Sequence, residues 1–309
     1  MSVLYTFPGQ GAQRAGMLHK LPDHPEVRRT IAETESALGQ DPLQLDSAAA
    51  FGSSFAVQIC LLLAGVAMAR VLAAHGARPD MVAGLSIGAY PAAVVAGALD
   101  YTDAVRLVAL RGRMMDERYP HGYGMAAIVG LDRGLLERLI AQVHSRTMPV
   151  YLANLNAARQ FVIAGIDEAL EAVIGIALAR GATKAERLAV TVPSHCELFA
   201  DAATAMREAF SSVTLGRPCI IYLSSSAARA LSDPIRIADD LASNLATQVH
   251  WYDTTRLAWE RGARLAVEMP SGTVLTKLTV PVFIGGRAIS CEESDMDTVL
   301  ALMSRECRR

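Results

Sequence analysis

Met81-Val82-Ala83-Gly84-Leu85-Ser86-Ile87-Gly88-Ala89-Tyr90 joins a short apolar run to an Ala-rich one through a serine flanked by glycines two positions away on each side. Residues 81–85 have the length of a buried strand, and the Ala-rich run to residue 99 has the composition of a helix. A sharp strand-to-helix turn forces the serine into strained backbone geometry, and small residues at 84 and 88 avoid the clashes that it creates. The turn lifts the Ser86 hydroxyl above the sheet and aims the N-terminus of the next helix at it, a place that supports an oxyanion. Ser86 is therefore a candidate nucleophile rather than a helix-capping serine, in an α/β setting.

Outward from this elbow the same alternation continues. Residues 3–7 form an apolar strand ending in the turn cluster Pro8-Gly9-Gln10-Gly11. Residues 25–38 and 53–75 read as helices, the second apolar nearly all round and hence central. Asp100 caps a helix over 104–118. Apolar strands alternating with helices predict a parallel sheet covered on both faces. The rhythm then changes: strand 125–131, helix 133–144, strands 150–155 and 161–165, helix 167–180, strand 187–192. This β-α-β-β-α-β order is the ferredoxin-like signature. After Pro193 the alternation resumes, with a helix from 197, a strand at 220–223, helices at 235–246 and 252–261, and a strand at 263–268. The expected fold is α/β: a hydrolase-like parallel-sheet large domain formed by 1–123 and 192–309, with an inserted ferredoxin-like small domain at 124–191.

Composition excludes several classes. Lys and Arg number 29 against 31 Asp and Glu, a net charge of −2, so no basic surplus favours nucleic acid or an anionic membrane. The five cysteines are odd in number, scattered and without a CxxC pair, which argues against a disulfide framework or a zinc knuckle and for a reducing, cytoplasmic setting. The N-terminus lacks a basic segment and meets Pro8-Gly9 too soon for a secretory leader. Although 52% of the residues are hydrophobic, the run 55–69, broken only by Gln58 and Gly65, is closed by Arg70, short of the roughly 20 residues a spanning helix needs. The run 81–99 contains Pro91 and three glycines, so no membrane segment is expected. Residues 305–309 read as a short basic, solvated tail.

A serine hydroxyl needs a base. His19, His24, His75, His121 and His144 lie in polar or loop-like surroundings, and His250, beside Trp251 at a helix start, suits packing or capping. His195, in Val192-Pro193-Ser194-His195-Cys196, follows an apolar strand that Pro193 breaks, at the carboxyl edge where sites of open α/β sheets gather. On its own it divides evenly between core and catalysis.

Six motifs occur in order: Phe7-Pro8-Gly9-Gln10-Gly11-Ala12-Gln13, the 84–88 elbow, Arg111-Gly112-Arg113-Met114-Met115, Asn154-Leu155-Asn156, Val192-Pro193-Ser194-His195, and Glu268-Met269-Pro270-Ser271-Gly272-Thr273-Val274-Leu275. Together they resemble the malonyl-CoA:acyl carrier protein transacylase family over nearly the whole chain. The resemblance implies Ser86 as nucleophile and His195 as base, a dyad whose imidazole is oriented by the backbone carbonyl of Gln248. It implies an oxyanion hole from the backbone N–H groups of Gln10 and Ile87, and Arg111 as the receptor of the malonyl carboxylate, for which its planar fork is suited. A structural salt bridge from Arg111 to Asp116 is the competing expectation. Asn154 and Asn156, at the end of a small-domain strand beside the cleft, either touch substrate or close a turn.

The resemblance further implies malonyl-CoA as substrate, an acyl carrier protein as acceptor, and no metal or redox cofactor. Most members carry histidine before the nucleophile and glutamate after the second elbow glycine, where this chain has Leu85 and Ala89. That elbow, with Tyr90-Pro91 following, is more like the transacylase subunit of malonate decarboxylase, whose carrier subunit is then the expected acceptor. The alternative is a housekeeping transacylase serving a fatty-acid or polyketide carrier. An α/β-hydrolase esterase, needing an acid between serine and histidine in chain order, and a non-catalytic carrier-docking subunit are the remaining rivals.

Overall fold

The computed structural model describes residues 2–119 and 121–307. Among the described residues, ten strands form two sheets: β1 (Ser2–Phe7), β2 (Met81–Gly84), β3 (Tyr123–Val129), β4 (Val150–Ala157), β5 (Gln160–Ile166), β6 (Lys184–Arg187), β7 (Ile221–Ser224), β8 (Arg229–Leu231), β9 (Ala263–Glu268) and β10 (Arg287–Ser290). The larger sheet runs β10-β9-β1-β2-β7-β8. Its first five strands are parallel and β8 pairs antiparallel to β7 at the edge. β1 and β2 are mostly apolar and buried except at Ser2, as parallel strands covered on both faces must be. The register Phe7↔Gly84 and Thr6↔Glu268 brings the carboxyl ends of β1, β2 and β9 together, so the Pro8–Gly11 turn, the serine elbow and the segment after Glu268 emerge side by side.

The helix Ser54–Ala74 lies at the centre of the large unit. Its 21 residues are long and apolar enough to cross a membrane by length and composition, but 89% of its most apolar window is buried in protein. Helices Pro25–Leu38 and Tyr101–Arg118 pack against it. The first turn is capped from outside: the Asp116 carboxylate accepts from Ser53 Oγ at 2.6 Å and from Ser54 N at 2.7 Å. Orphan N–H groups at a helix start need such acceptors.

The smaller sheet, in the order β4-β5-β3-β6, is antiparallel, and helices Arg133–Val143 and Asp167–Ala179 pack on it around their own apolar core. In chain order this is 2-3-1-4, the ferredoxin-like topology. Its last strand is displaced from expectation: β6 is Lys184–Arg187, not 187–192. Leu188 N still donates to Met125 O at 2.9 Å, after which the chain leaves the sheet and Val192 joins the large core. Alternating apolar residues over 188–192 imitate a strand, whereas the charged edge strand before them does not look like one. The helix after the elbow also stops early, at Val95, with Gly97 turning at φ +78°. The helix expected to reach 246 ends at Ser243, followed by a single 3₁₀ turn, Asn244–Ala246. Arg305 lies in a terminal helix, Met296–Cys307, while residues 308 and 309 of the expected tail fall outside the described residues.

Candidate active site

Ser86 sits at φ +56°, the left-handed region in which a non-glycine residue is strained by about 1–3 kcal/mol. The elbow tolerates this only because its flanks lack side chains. A Cβ on Gly84 would lie 1.9 Å from the Gly88 carbonyl carbon, and one on Gly88 would lie 2.1 Å from Phe7 O at the end of β1. Gly9 is equally constrained, since a Cβ there would meet Leu85 O at 2.9 Å. Close approach of these two turns puts Gln10, with its main-chain N–H, and Ser86 on the wall of one cavity. No turn or cap hydrogen bond among the described residues uses that N–H. Ile87, in the first turn after the nucleophile, supplies a second N–H at a helix start.

His195 occupies φ +65° in the segment that returns from the small domain to the large one. Its Nε2 lies 2.8 Å from Ser86 Oγ. Its Nδ1 faces main-chain carbonyls, Asn244 O at 2.8 Å and Thr247 O at 3.3 Å. This corrects the expected orienter: Gln248 does not hold the imidazole, and its Nε2 donates instead to Leu152 O of β4 at 2.7 Å. The 3₁₀ turn Asn244–Ala246 is the cause, because it brings the carbonyls of its first residue, Asn244, and of Thr247 just past its end onto the ring, while the Gln248 side chain has turned toward the small sheet. With Nδ1–H donated to a carbonyl, Nε2 is left as the acceptor facing the serine hydroxyl. Burial, with the Arg111 charge as second cause, depresses the His195 pKa to about 4, against the two carbonyls that favour the charged ring. The imidazole is thus neutral at physiological pH, with the Nε2 lone pair open to a proton.

Arg111 is fully buried in the Tyr101–Arg118 helix, a cation surrounded by neutral acceptors. Nη1 donates to Gln58 Oε1 at 2.6 Å; Nη2 reaches Ser86 Oγ at 3.3 Å and Asn244 Oδ1 at 3.4 Å. Desolvation pulls its pKa below the ordinary arginine value, against a smaller opposing influence from Tyr90. Asp116, five residues on, caps the central helix and makes no bond to Arg111, which disposes of the expected competing salt bridge. No carboxylate among the described residues pairs with Arg111. Gln58 was visible in the sequence as the one polar side chain in an apolar helical run; here it also donates from Nε2 to Gln10 Oε1 at 3.2 Å, tying the arginine to the glycine-rich turn. Asn244 carried no comparable signal.

A cavity of about 290 Å³ opens onto the serine and histidine, lined by Gly9, Gln10, Ser86, His195 and, from the small sheet, Asn154 and Asn156. Both asparagines are nearly buried, and the Oδ1 of each has no hydrogen-bond partner. The last motif braces the floor: Glu268 accepts from Leu275 N at 3.0 Å and Thr276 N at 2.6 Å, and Ser271 Oγ donates to Ala12 O at 2.7 Å.

The acyl transferase domain model matches residues 4–307. A malonyl CoA-acyl carrier protein transacylase of Escherichia coli O157:H7 is 37% identical over 281 residues, covering 89% of this chain and 91% of that one. The crystal structure of FabD from Acinetobacter baumannii superposes with a TM-score of 0.93 at 33% identity, covering 99% of each chain. A malonyl-transacylase solved in complex with its type II PKS acyl-carrier protein gives a TM-score of 0.91 at 33% identity, over 99% of this chain and 100% of that one. Fold, elbow and family match together define an acyltransferase. Within that class, the chain belongs to the malonyl CoA-acyl carrier protein transacylase family.

Proposed function

We propose that this protein transfers a malonyl group from malonyl-CoA to the prosthetic thiol of an acyl carrier protein in two half-reactions. Ser86 Oγ attacks the thioester carbonyl while His195 Nε2 takes its proton; the tetrahedral oxyanion sits under the Gln10 and Ile87 amides. Collapse breaks the C–S bond, the imidazolium returns the proton to the departing thiolate, and coenzyme A leaves a malonyl-serine ester. The carrier thiol then attacks that ester, with His195 accepting its proton and delivering it to Ser86 as the ester bond breaks. Arg111 holds the free carboxylate throughout. The observation that carries this reading is the buried Arg111 guanidinium, 3.3 Å from the nucleophile and paired only with neutral groups. A cation so placed calls for an anionic ligand one acyl chain away from the serine. The orphan Oδ1 atoms of Asn154 and Asn156 suit the amide N–H groups of a pantetheine arm.

For the acceptor, the relatives named above support a carrier of fatty-acid or polyketide synthesis. One specific feature supports a second reading, the malonate decarboxylase carrier subunit: Leu85 and Ala89 leave the elbow without a titratable side chain on either side of the nucleophile. The cysteines Cys60, Cys196, Cys219 and Cys291 are unbridged, which fits a cytoplasmic setting. Radiolabelled malonyl-CoA is expected to acylate the wild type and not Ser86→Ala; equal labelling would remove the nucleophile. Offering malonyl-enzyme a fatty-acid carrier and a malonate-decarboxylase carrier in competition then decides the acceptor by which one is loaded.

A further inference from the structure

Asn244 is buried where the base and the arginine meet. Its main-chain carbonyl accepts from His195 Nδ1 at 2.8 Å, and its side-chain Oδ1 lies 3.4 Å from Arg111 Nη2. We propose that Asn244 is a positioning residue that sets specificity for the substrate's terminal carboxylate: its amide oxygen keeps the Arg111 guanidinium turned toward Ser86, while the same residue's peptide carbonyl keeps the imidazole in register. The proposal rests on Arg111 as the carboxylate receptor.

The direction of the Asn244 amide is fixed from behind. Its Nδ2 lies 3.5 Å from Ser226 Oγ. Ser226 also hydrogen-bonds the buried Asp240, whose oxygens accept from Ser224 Oγ at 2.6 Å and Tyr222 OH at 2.9 Å. Ser224 Oγ in turn accepts from Ala227 N at 3.0 Å, so its own proton is free to point at Asp240. Burial raises the Asp240 carboxyl above its ordinary range, and the three hydroxyl donors oppose that rise. A carboxylate only accepts, so Ser226 gives it its proton and leaves an oxygen lone pair for Asn244 Nδ2. An amide nitrogen committed to Ser226 presents its oxygen to Arg111; the flipped amide would set two donors face to face. The neutrality of that oxygen matters as much as its direction. An amide dipole steers a guanidinium without cancelling its charge, whereas a carboxylate at 244 would occupy Arg111 before substrate arrived.

The test compares acylation of Ser86 by malonyl-CoA and by acetyl-CoA, as a ratio of second-order rate constants, in wild type, Asn244→Ala, Asn244→Asp and Ser226→Ala. In Asn244→Ala the malonyl-to-acetyl ratio is expected to fall about tenfold or more, as when a hydrogen bond to a charged group is lost. Asn244→Asp should lower it further, and Ser226→Ala should lower it in the same direction by a smaller factor. The loss should fall mainly on the KM for malonyl-CoA. Equal losses with both thioesters, or a wild-type ratio in Asn244→Asp, overturn the proposal. Should Asn244→Ala fail to fold, Ser226→Ala, at a half-buried position off the cavity wall, decides by the same ratio. A wild type that prefers acetyl-CoA would refute the proposed function instead, so the two failures are distinct.

Discussion

Replacing Arg111 with methionine removes a charge from the site while keeping a side chain of similar length, and the acid limb of the pH–rate profile should report the change. Arg111 Nη2 and His195 Nε2 both reach Ser86 Oγ, at 3.3 and 2.8 Å, so the two nitrogens are no more than about 6 Å apart. At an effective dielectric constant of about 20, a proton added to the imidazole is repelled by roughly 2–3 kcal/mol, on the order of one to two pH units. Burial is the larger cause of the His195 pKa of about 4, and the substitution leaves burial in place. The limb should therefore rise from about 4 by one to two units, stopping short of the 6.5 of an exposed histidine. The assay is acylation of Ser86 by acetyl-CoA, which has no carboxylate to lose, followed between about pH 4 and 8 as kcat/KM for the free enzyme. A limb that stays in place or moves lower would show that the guanidinium charge is not felt at the base.

Three further outcomes follow from the geometry. Because the folded His195 pKa lies below the unfolded value of 6.5, the unfolded chain binds more protons between the two, so stability should fall as pH drops from about 6.5 to 4, by about 3 kcal/mol at the lower end; thermal melts of wild type and His195→Gln check this, and parallel pH dependence in both would refute it. Gly88→Ala sets a Cβ 2.1 Å from Phe7 O, so it should abolish Ser86 acylation and lower the melting temperature, and a folded variant of normal activity would contradict the packing of the elbow on β1. Asp116→Ala uncaps the central helix and should cost about 1–2 kcal/mol in denaturant unfolding while leaving the malonyl-to-acetyl preference intact; a lost preference would mean that Asp116 supports Arg111 after all.

The parallel sheet was legible in the sequence because buried parallel strands are mostly apolar runs without strict alternation, and 3–7, 81–85 and 263–268 lie within a residue or so of β1, β2 and β9. The elbow was legible because only a pair of glycines permits its crowding, which leaves a fixed pentapeptide trace. Edge strands β6, β8 and β10 were not legible as such: they are short, half-solvated and carry few apolar residues, so their pairing is decided by neighbours far along the chain. Backbone chemistry was the least visible. A carbonyl has no side-chain signature, so the choice among Asn244, Thr247 and Gln248 depended on one 3₁₀ turn that the sequence does not announce. Gln58 announced itself by polarity in an apolar helix, but its partners Gln10, Arg111 and Met115 emerge only when three elements converge.

The stretch that faces the imidazole is also stitched to the small sheet. Leu155 N donates to Val249 O at 2.7 Å, Val249 N to Ala153 O at 2.9 Å, and Gln248 Nε2 to Leu152 O. Any wide yawning of the two units would drag on the peptide groups that keep the ring aligned. Such jaws work only while nearly shut, so their cargo has to be slender: a flexible thread fed in end-on from a bulky spool that never passes the lips.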